Sequence, residues 1–581
     1  MSGAGLQKLA YSPLPPDYVR LLKLECRKGS QEPRGELINH HIDRLPPYSA
    51  LSYAWGDQNP EQGDLGLFCD GQELSVTPNL HRALRRLVKS GESALYWIDQ
   101  ICINQCDKGE RSTQVGMMGR IYERASRVVI WLGEAPSDLR TALSAIPAIL
   151  SALQTVSGTV LITEANFRAL KLPKRSSPIW STLGALFASK WFTRLWVLQE
   201  AVLAKEICTL YGDDVLNWEV ISSLASAILQ ANLASFLRGD SGQFTKPKDQ
   251  ADGVVSLNHI NRLREIMTAR KSIEFPLLLE VGRTRLCGED VDRIYGLLGL
   301  VGERLRERSL PIDYRLPTQR VYTEVFKTII TTDPSLYLLI TPCRRGKDLG
   351  LPSWCPHLAY PCAANPLGTL APLAEYRAGY RKISEMRSRV EILPGTDSIQ
   401  IPGLLLDEIS LVKPARWKWP WGQQADIALE TLAWEESCRS LANQVTHTDG
   451  LPQQHWRTLI ANKLSTNSRC DLELSRDYHA MKTYLRGVTN GEKSQLPGDE
   501  VVAMINFATA VDKACSGRTY FSSRDGRLGL GPEDAQPDDV VCVFFSGSTP
   551  FVLRPIPGRE EYNFIDMRDG GIVEDRKFTI E

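Results

Sequence analysis

The chain has 581 residues, of which 43% are hydrophobic and 23% are charged, a composition typical of globular proteins. Its 68 lysines and arginines balance its 68 aspartates and glutamates, so no net field draws it to nucleic acid or to an anionic membrane surface. Because single hydrophobic cores stop growing well below this length, we expect roughly two to four domains.

Cysteine usage and targeting signals indicate the compartment. The 13 cysteines show no regular spacing, and Cys102 and Cys106 have neither a second pair nor a nearby histidine to complete a zinc site. Residues 1–16 lack the charged and then apolar plan of a signal peptide. The most apolar long window, residues 143–162, is interrupted by Pro147 and Gly158. We therefore expect a cytoplasmic protein with no membrane span and no metal site.

Strands and helices alternate in the N-terminal part of the sequence. Tyr18–Arg27 and Tyr48–Trp55 have the composition of strands, and the second is followed directly by Gly56-Asp57. Leu67–Val76 predicts a hairpin that precedes a helix. Ligands of open α/β sheets bind beyond the carboxyl ends of strands, which is where Gly56-Asp57 would lie.

The stretch from Ala94 to Gly133 predicts a βαβ unit. Ala94–Ile98 has a strand's length and ends next to Asp99, Asp107 and Glu110 have the spacing of a helix capping box, and Arg127–Leu132 predicts a buried strand. Two strands joined by a helix in this way lie parallel, with a right-handed crossover. The core of the N-terminal half is therefore predicted to be α/β.

Further along the chain the predicted structure becomes helical and then β-rich. Apolar residues recur at near-helical spacing in Lys190–Leu203, where Trp196 and Glu200 are four apart and would share a helix face. Residues 218–330 are predicted to be mostly helical. From about Thr341 short strand-like runs predominate, with a helical insertion near residues 427–490.

Three blocks of this sequence resemble the signature blocks of the fungal heterokaryon-incompatibility (HET) domain. They are Tyr48–Asp57 (YSALSYAWGD), Trp97–Gly133 (beginning WIDQICINQ and ending WLG) and Arg194–Glu200 (RLWVLQE). Their order and spacing over about 155 residues also fit, which is far more specific than a single short motif. The resemblance implies a role in fungal nonself recognition, with the HET domain as the part that induces cell death.

The resemblance extends to flanking segments, among them Asp292–Leu300 (DRIYGLLGL), Ile312-Asp313-Tyr314 and Leu351–Trp354. Together with the changes in composition, it predicts four regions. They are an N-terminal strand and linker (1–47), the HET domain (48–203), a mostly helical extension packed on it (204–340) and a β-rich C-terminal domain with the helical insertion (341–581).

HET domains are in turn remotely similar to TIR domains, which have a flavodoxin-like sheet. Tyr48–Tyr53 would match the first TIR strand, and Trp196 and Glu200 the tryptophan and glutamate of a TIR helix. In enzymatically active TIR domains that glutamate cleaves the nicotinamide–ribose bond of NAD, so the resemblance implies this role for Glu200. The sequence departs from the TIR pattern at Ala54-Trp55 and at Leu198-Gln199, and a long insertion separates Gly133 from Lys190.

The implied chemistry needs few groups. Cleavage creates an oxocarbenium-like centre that a single carboxylate can stabilise, and the nicotinamide leaves as a neutral molecule without an acid. NAD would be a substrate, and no cofactor is implied. The predicted catalytic residue is Glu200, and the predicted substrate-binding set is Trp196, Trp55, Tyr53, Asp57, Asp99 and Arg194, in which either tryptophan could stack on a flat ring.

Each of these residues also has a purely structural interpretation. Glu200 can pair with Arg194 or Lys205, and buried ion pairs of this kind occur without catalysis. Asp99 can bond the backbone of residues 100–107, and Asp57 can form a turn with Asn59-Pro60. Tyr53 and Trp55 can simply be packed.

Three functional hypotheses follow. The first is an NAD nucleosidase whose activity triggers regulated cell death. The second is a non-enzymatic module that acts by TIR-like homotypic assembly, as a homo-oligomer or with other TIR-like or HET proteins. The third, compatible with either, is that the C-terminal region binds a ligand or partner and restrains the HET domain. A nonself trigger protein is implied, and a nucleic-acid partner is not.

Overall fold

The computed structural model of the protein describes residues 11–26, 32–56, 65–89, 94–154, 164–174, 176–231, 233, 237, 252–270, 272–302, 311–332, 336–340, 343–344, 350–361, 390–420, 424–446, 453–461, 471–491, 498–545, 547, 549–567 and 574–580. The predicted site residue Asp57 lies outside this set. The chain divides into two compact units, one formed by Met1–Gly242 with Lys246–Pro317 and the other by Gln243–Thr245 with Thr318–Glu581.

The first unit is built on a mixed sheet. Its strands are β1 (Tyr18–Cys26), β2 (Pro33–His41), β3 (Ser49–Tyr53), β4 (Leu65–Cys69), β5 (Gln72–Val76), β6 (Ala94–Trp97), β7 (Arg127–Trp131), β8 (Ile207–Tyr211) and β9 (Asp214–Leu216). Across the described residues they pair in the order β5-β4-β2-β1-β6-β3-β7-β8-β9. The α/β prediction for this half of the chain is confirmed.

The middle of this sheet is parallel. Strand β3 pairs in parallel with β6 on one side and with β7 on the other, and β7 pairs in parallel with β8. The predicted parallel relation between the two strands of the βαβ unit is therefore confirmed, with β3 inserted between them. Every residue of β3 is buried, as expected for a strand covered on both faces.

Helices connect these strands. They are α1 (Pro78–Val88), α2 (Asp99–Cys102), α3 (Lys108–Arg124), α4 (Leu139–Gln154), α5 (Glu164–Ala169), α6 (Pro178–Phe187), α7 (Val197–Val202), α8 (Trp218–Gln230), α9 (Asp252–Arg270), α10 (Phe275–Gly282) and α11 (Asp292–Leu298). Short 3-10 turns occupy Ile42–Arg44 and Lys190–Thr193. The predicted strand Ala94–Ile98 is one residue shorter, because β6 stops at Trp97, and Asp99 opens the single turn of α2 instead of directly following a strand.

The predicted capping box of α3 forms in one direction. The Asp107 side chain accepts hydrogen bonds from the N–H groups of Gly109 and Glu110 at 2.8 and 3.2 Å. The Glu110 carboxylate instead pairs with Arg20, whose side chain is 2% exposed, at 2.5 Å. A buried guanidinium is a stronger partner for a carboxylate than an exposed amide, so tertiary contact overrides the local motif.

The second unit contains a β-barrel. Its strands are β10 (Cys343–Arg344), β11 (His357–Pro361), β12 (Glu391–Ile392), β13 (Ile399–Lys413), β14 (Arg518–Ser523), β15 (Leu528–Pro532), β16 (Val540–Phe544), β17 (Phe551–Pro555), β18 (Glu561–Met567) and β19 (Glu574–Ile580). Strands β13, β16, β17, β18 and β19 pair in succession, and β19 pairs back onto β13, so they close a ring. All these pairs are antiparallel except β18 with β19.

Strand β13 makes this closure possible. It is 15 residues long and pairs with β19, β16 and β14 along its length. Its register shifts between Leu405 and Asp407 and again between Ile409 and Leu411. Such irregularities bend a strand, which allows β13 to leave the ring and extend the sheet through β14 and β15.

Helices of the second unit precede the barrel or connect β13 to β14. The former are α12 (Thr318–Thr332) and α13 (Tyr337–Ile340), and the latter are α14 (Ala425–Thr446), α15 (Gln453–Leu459), α16 (Asp471–Thr489) and α17 (Gly498–Cys515). Within the part of the chain that the structure describes, no helix combines the length and apolar character needed to cross a bilayer.

Candidate functional site

A buried carboxylate lies beside the central strand β3. Glu200 belongs to the short helix α7, which follows the 3-10 turn Lys190–Thr193, and the residue is only 1% exposed. Its Oε2 accepts a hydrogen bond from the hydroxyl of Ser52 on β3, and its Oε1 lies 3.7 Å from Nη1 of Arg194. The glutamate therefore meets the sheet near the carboxyl end of β3.

Ser52 and Trp191 were not predicted from the sequence. Ser52 is 1% exposed and Trp191 is fully buried. The indole Nε1 of Trp191 donates to Ser52 Oγ at 2.7 Å, and Ser52 in turn donates to Glu200. Ser52 lies inside the first HET-like block and Trp191 lies three residues before the third, but nothing in their local pattern distinguishes them from core residues. Their partners are 139 and 148 positions away.

The surroundings of Glu200 favour its protonated form more than water does. Burial raises the pKa of Glu200 from 4.5 to about 7, although the nearby Arg194 charge and the Ser52 hydrogen bond both oppose the rise. The negative charge of Asp99 adds a smaller upward contribution. Near neutral pH this carboxyl can therefore exist in either protonation state, which is the property that acid–base groups in active sites share.

Arg194 links the glutamate to the end of β3. Its Nη1 also donates to the backbone carbonyl of Tyr53, and its side chain remains 17% exposed. Arg285 holds the preceding turn by donating to the carbonyl of Phe192 at 2.9 Å. Of the two structural pairings open from the sequence, Glu200 takes the one with Arg194, while the Lys205 ammonium contacts the carbonyl of Arg124.

Asp99 and Trp55 form the outer part of the site. The half-buried indole of Trp55 donates to Asp99 Oδ2 at 2.8 Å, and Asp99 Oδ1 accepts from the N–H of Gln100 at 2.7 Å. Asp99 thus binds loop backbone as well as the tryptophan. The chain then turns at Gly56, which is exposed and has φ of +88°, a conformation that favours glycine.

Tyr53 and Trp196 are placed differently. Tyr53 is 1% exposed, its hydroxyl lies 3.4 Å from Gln100 Oε1, and burial raises its pKa well above the usual value. Trp196 is half-buried, and its indole hydrogen-bonds Asp292 of α11, which also accepts a 2.7 Å bond from the Tyr314 hydroxyl. The structure therefore groups Glu200, Arg194, Asp99, Tyr53 and Trp55, while the Trp196 indole is held by α11.

The structure does not favour a cysteine nucleophile or a metal ion as the basis of the chemistry. The Cys102 thiol is fully buried, and burial raises its pKa to about 12, so it is not an activated nucleophile. Among the described residues, no group of three or more histidine, cysteine, aspartate or glutamate side chains is arranged to hold a metal ion.

A groove of about 580 Å³ lies at the amino ends of the central strands, opposite the ends near which Glu200 lies. It is formed where β3 and β6 begin, and its lining is Lys23, Ile38, Pro47, Tyr48, Ser49, Ala94, Leu95 and Ser126. None of these residues belongs to the group around Glu200. The groove also lacks a carboxylate, so we place the candidate chemistry at the carboxyl end of β3 and not there.

Two segments of the chain match models of known domain families. Residues 48–200 match the model of the Heterokaryon incompatibility protein (HET) family, a span that begins one residue before β3 and ends at Glu200. Residues 443–576 match the Het-6 beta-barrel domain, which fits the barrel of the second unit. The chain therefore contains one segment that matches the HET family and another that matches the Het-6 barrel domain.

Curated relatives agree with this assignment. The chain is 24% identical over 622 aligned positions to heterokaryon incompatibility protein 6, OR allele, of Neurospora crassa, covering 90% of this chain and 88% of the relative. It is also 24% identical over 160 positions to vegetative incompatibility protein HET-E-1 of Podospora anserina, covering 27% of this chain and 9% of that protein. No solved structure matches the chain significantly.

Proposed function

We propose that this protein acts in heterokaryon incompatibility, as a cytoplasmic nonself-recognition protein that triggers regulated cell death. The similarity to a heterokaryon incompatibility protein over 90% of this chain supports this role, as do the matches of two segments to the HET family and to the Het-6 barrel domain. The trigger would be another protein whose nonself variant is sensed.

We further propose that the HET domain hydrolyses NAD at Glu200. The observation that carries this proposal is a carboxylate that is 1% exposed, has a pKa of about 7 and lies beside the central parallel strand. The four central strands β6, β3, β7 and β8 are parallel and, numbered along the chain, lie in the spatial order 2-1-3-4, which supports a comparison with the first strands of a flavodoxin-like sheet. In that arrangement ligands bind where the strand order reverses, at the carboxyl ends of β3 and β7.

The reaction would use the ionised form of Glu200. As the bond between ribose C1′ and the nicotinamide nitrogen breaks, its electron pair stays on nicotinamide, and the carboxylate stabilises the positive charge on the ribose. A water molecule then adds to C1′ and releases a proton, giving ADP-ribose. Trp55 would stack on a flat ring, and Asp99 and Arg194 would bind the polar parts of the dinucleotide.

Access to Glu200 requires a local rearrangement. The carboxylate is covered by Arg194, and Trp55 is held by its hydrogen bond to Asp99. An anionic substrate can draw the Arg194 guanidinium away from Glu200, because the pyrophosphate offers it a stronger bidentate partner. Binding and uncovering of the carboxylate would thus be coupled.

The test is release of nicotinamide from NAD by the purified full-length chain. Replacing Glu200 by glutamine keeps the shape and removes the charge, and we expect the rate to fall on the order of 100-fold or more. The matched control is Glu110→Gln, which also removes a carboxylate paired with a buried arginine in the same unit. A wild-type protein that releases no nicotinamide, whether alone or assembled, would reject this activity.

A second candidate function is a non-enzymatic module that acts by homotypic assembly. The contacts of Glu200 with Arg194 and Ser52 favour it, since a buried carboxylate with such partners can serve structure alone. Under this alternative, Glu200→Asp or Glu200→Gln protein that still folds would kill cells on overexpression as effectively as the wild type. Light scattering of the purified protein would then show assembly that does not depend on NAD.

A further inference from the structure

Three buried side chains form a directed chain of hydrogen bonds that ends on the candidate catalytic carboxylate. Trp191 donates to Ser52 at 2.7 Å, and Ser52 donates to Glu200. None of the three is more than 1% exposed, so water does not compete for these bonds.

The direction of this chain is fixed by chemistry. An indole N–H can donate and cannot accept, so the Ser52 oxygen must be the acceptor of the Trp191 bond. A serine hydroxyl has a single proton, and the Glu200 carboxylate is the acceptor within reach of it. The tryptophan therefore orients the serine hydroxyl so that its proton points at Glu200 Oε2.

This arrangement also gives the two carboxylate oxygens different surroundings. Oε2 is bound to the interior of the domain through Ser52, whereas Oε1 faces Arg194, whose side chain is partly exposed. A ligand that displaced Arg194 would therefore meet Oε1. Ser52 thus fixes the rotation of the carboxylate about its last bond and leaves one oxygen for chemistry.

We infer that Ser52 and Trp191 are positioning residues that orient the Glu200 carboxylate for reaction and favour its ionised form. The inference rests on the proposed function, because it assigns a role to residues that serve the same site. Neither residue is placed to touch a substrate. Their effect on the reaction passes through Glu200.

The inference predicts a change in the pH at which Glu200 ionises. Donation from Ser52 stabilises the charged form, so Ser52→Ala will raise the pH of ionisation by about one unit, the amount expected for a hydrogen bond to a charged group. Trp191→Phe leaves the hydroxyl in place but removes its orientation, and we expect a shift in the same direction of about half that size.

The measurement is infrared titration of the full-length chain, without NAD. The carbonyl band of protonated Glu200 is identified by its absence in Glu200→Gln, and its loss with rising pH is followed in each variant. Ser49→Ala is the control for the serine, since it lies on the same strand and bonds Arg127 at 3.2 Å. Trp180→Phe is the control for the tryptophan, since its buried indole donates to the Pro173 carbonyl at 3.2 Å.

The outcomes separate this inference from the proposed activity. A higher ionisation pH in Ser52→Ala and in Trp191→Phe, with both controls like the wild type, supports the positioning role even if no nicotinamide is released. An unchanged or lower ionisation pH in the two variants overturns it, even if the wild type hydrolyses NAD. If Ser52→Ala does not fold, Trp191→Phe decides the question by the same measurement. If the protein hydrolyses NAD, the pH at which its activity falls on the acid side will shift in the same direction as the ionisation pH measured by infrared titration.

Discussion

Two buried glutamates, one in each unit, show how differently the same side chain behaves. Glu200 is 1% exposed and its pKa is raised to about 7, whereas Glu435 on α14 is fully buried and its pKa is lowered to about 2. Burial acts against ionisation at both sites. The difference therefore comes from the partners that surround each carboxylate.

The partners of Glu435 are closer and more numerous. Its carboxylate meets the His455 ring at 3.0 Å, the Tyr478 hydroxyl and the Lys482 ammonium, all of them buried. The hydrogen bond from His455 and the positive charge of Lys482 outweigh burial and lower the pKa. Glu200 has a hydrogen bond from Ser52 and an arginine at 3.7 Å.

The comparison indicates which carboxylate is built for stability. Glu435 joins α14, α15 and α16 through its bonds to His455 and Tyr478 and its ion pair with Lys482, and it is ionised at neutral pH. Glu200 is left near its point of ionisation, a state that contributes less to stability at neutral pH and is useful to a reacting group.

Removing the ammonium beside Glu435 should have the largest effect. Lys482→Met leaves a buried carboxylate without its counter-charge, and we expect the free energy of unfolding of the second unit to fall by about 3–5 kcal/mol. Denaturant unfolding of the full-length chain measures this. Lys327→Met, which removes a lysine paired with the exposed Asp397, should cost about 1 kcal/mol or less. Equal losses of unfolding free energy in the two variants would show that the buried Glu435 cluster contributes no more to stability than an exposed ion pair does.

The two glutamates should respond to pH in opposite ways. The folded pKa of Glu200 lies above the unfolded one, so its stabilising contribution is present below about pH 4.5 and is lost as pH rises through about 7. We expect the wild type to lose about 3 kcal/mol relative to Glu200→Gln between pH 4.5 and 7.5. Unfolding free energies of both proteins across this range test it, and parallel pH curves would contradict it.

The pH dependence of the unfolding free energy should have the opposite sign at Glu435. Its folded pKa lies below the unfolded one, so its contribution is present above about pH 4.5 and is lost as pH falls toward 2. Glu435→Gln should therefore be less sensitive to acid than the wild type in this range, although it is less stable at pH 7. A wild type and variant that lose stability equally on acidification would contradict the assignment.

Packing behind Glu200 can be tested at a glycine. A Cβ at Gly299 would meet Gln199 Oε1 at 2.1 Å, and Gln199 is 2% exposed and adjacent to Glu200. Gly299→Ala should cost about 1–3 kcal/mol by overpacking. Gly116→Ala on α3 is the control, because a Cβ there meets nothing within 4 Å and should stabilise the helix by about 0.5–1 kcal/mol. Thermal unfolding that moved both proteins in one direction would refute this account.

The smallest effect is expected at the outer part of the site. Trp55→Phe removes the bond to Asp99 Oδ2, and a double-mutant cycle with Asp99→Ala should give a coupling energy of about 1 kcal/mol. The cycle is measured by denaturant unfolding. Additive effects of the two substitutions would mean that this bond contributes nothing to holding Trp55.

Much of the secondary structure could be predicted from local pattern. The strands at β3 and β7 and the Asp107 cap of α3 follow from hydrophobic spacing and a capping residue, and helices occur in the predicted insertion near residues 427–490, although α17 lies beyond its predicted end. The three HET-like blocks also contain Glu200, Arg194, Asp99, Tyr53 and Trp55, which the structure brings together. Patterns of this kind are local, and short-range sterics and hydrogen bonding dictate them.

What the sequence by itself determined is therefore the set of elements and the polar residues that stand out within them. Only the tertiary structure decided that β3 lies between β6 and β7, that β19 returns to β13, and that Glu110 binds Arg20 in place of its local cap. It alone brought Ser52 and Trp191 to Glu200 and turned the Trp196 indole toward Asp292. The physical reason is that contacts between residues more than a hundred positions apart depend on the order of strands in the sheet, which no local spacing encodes.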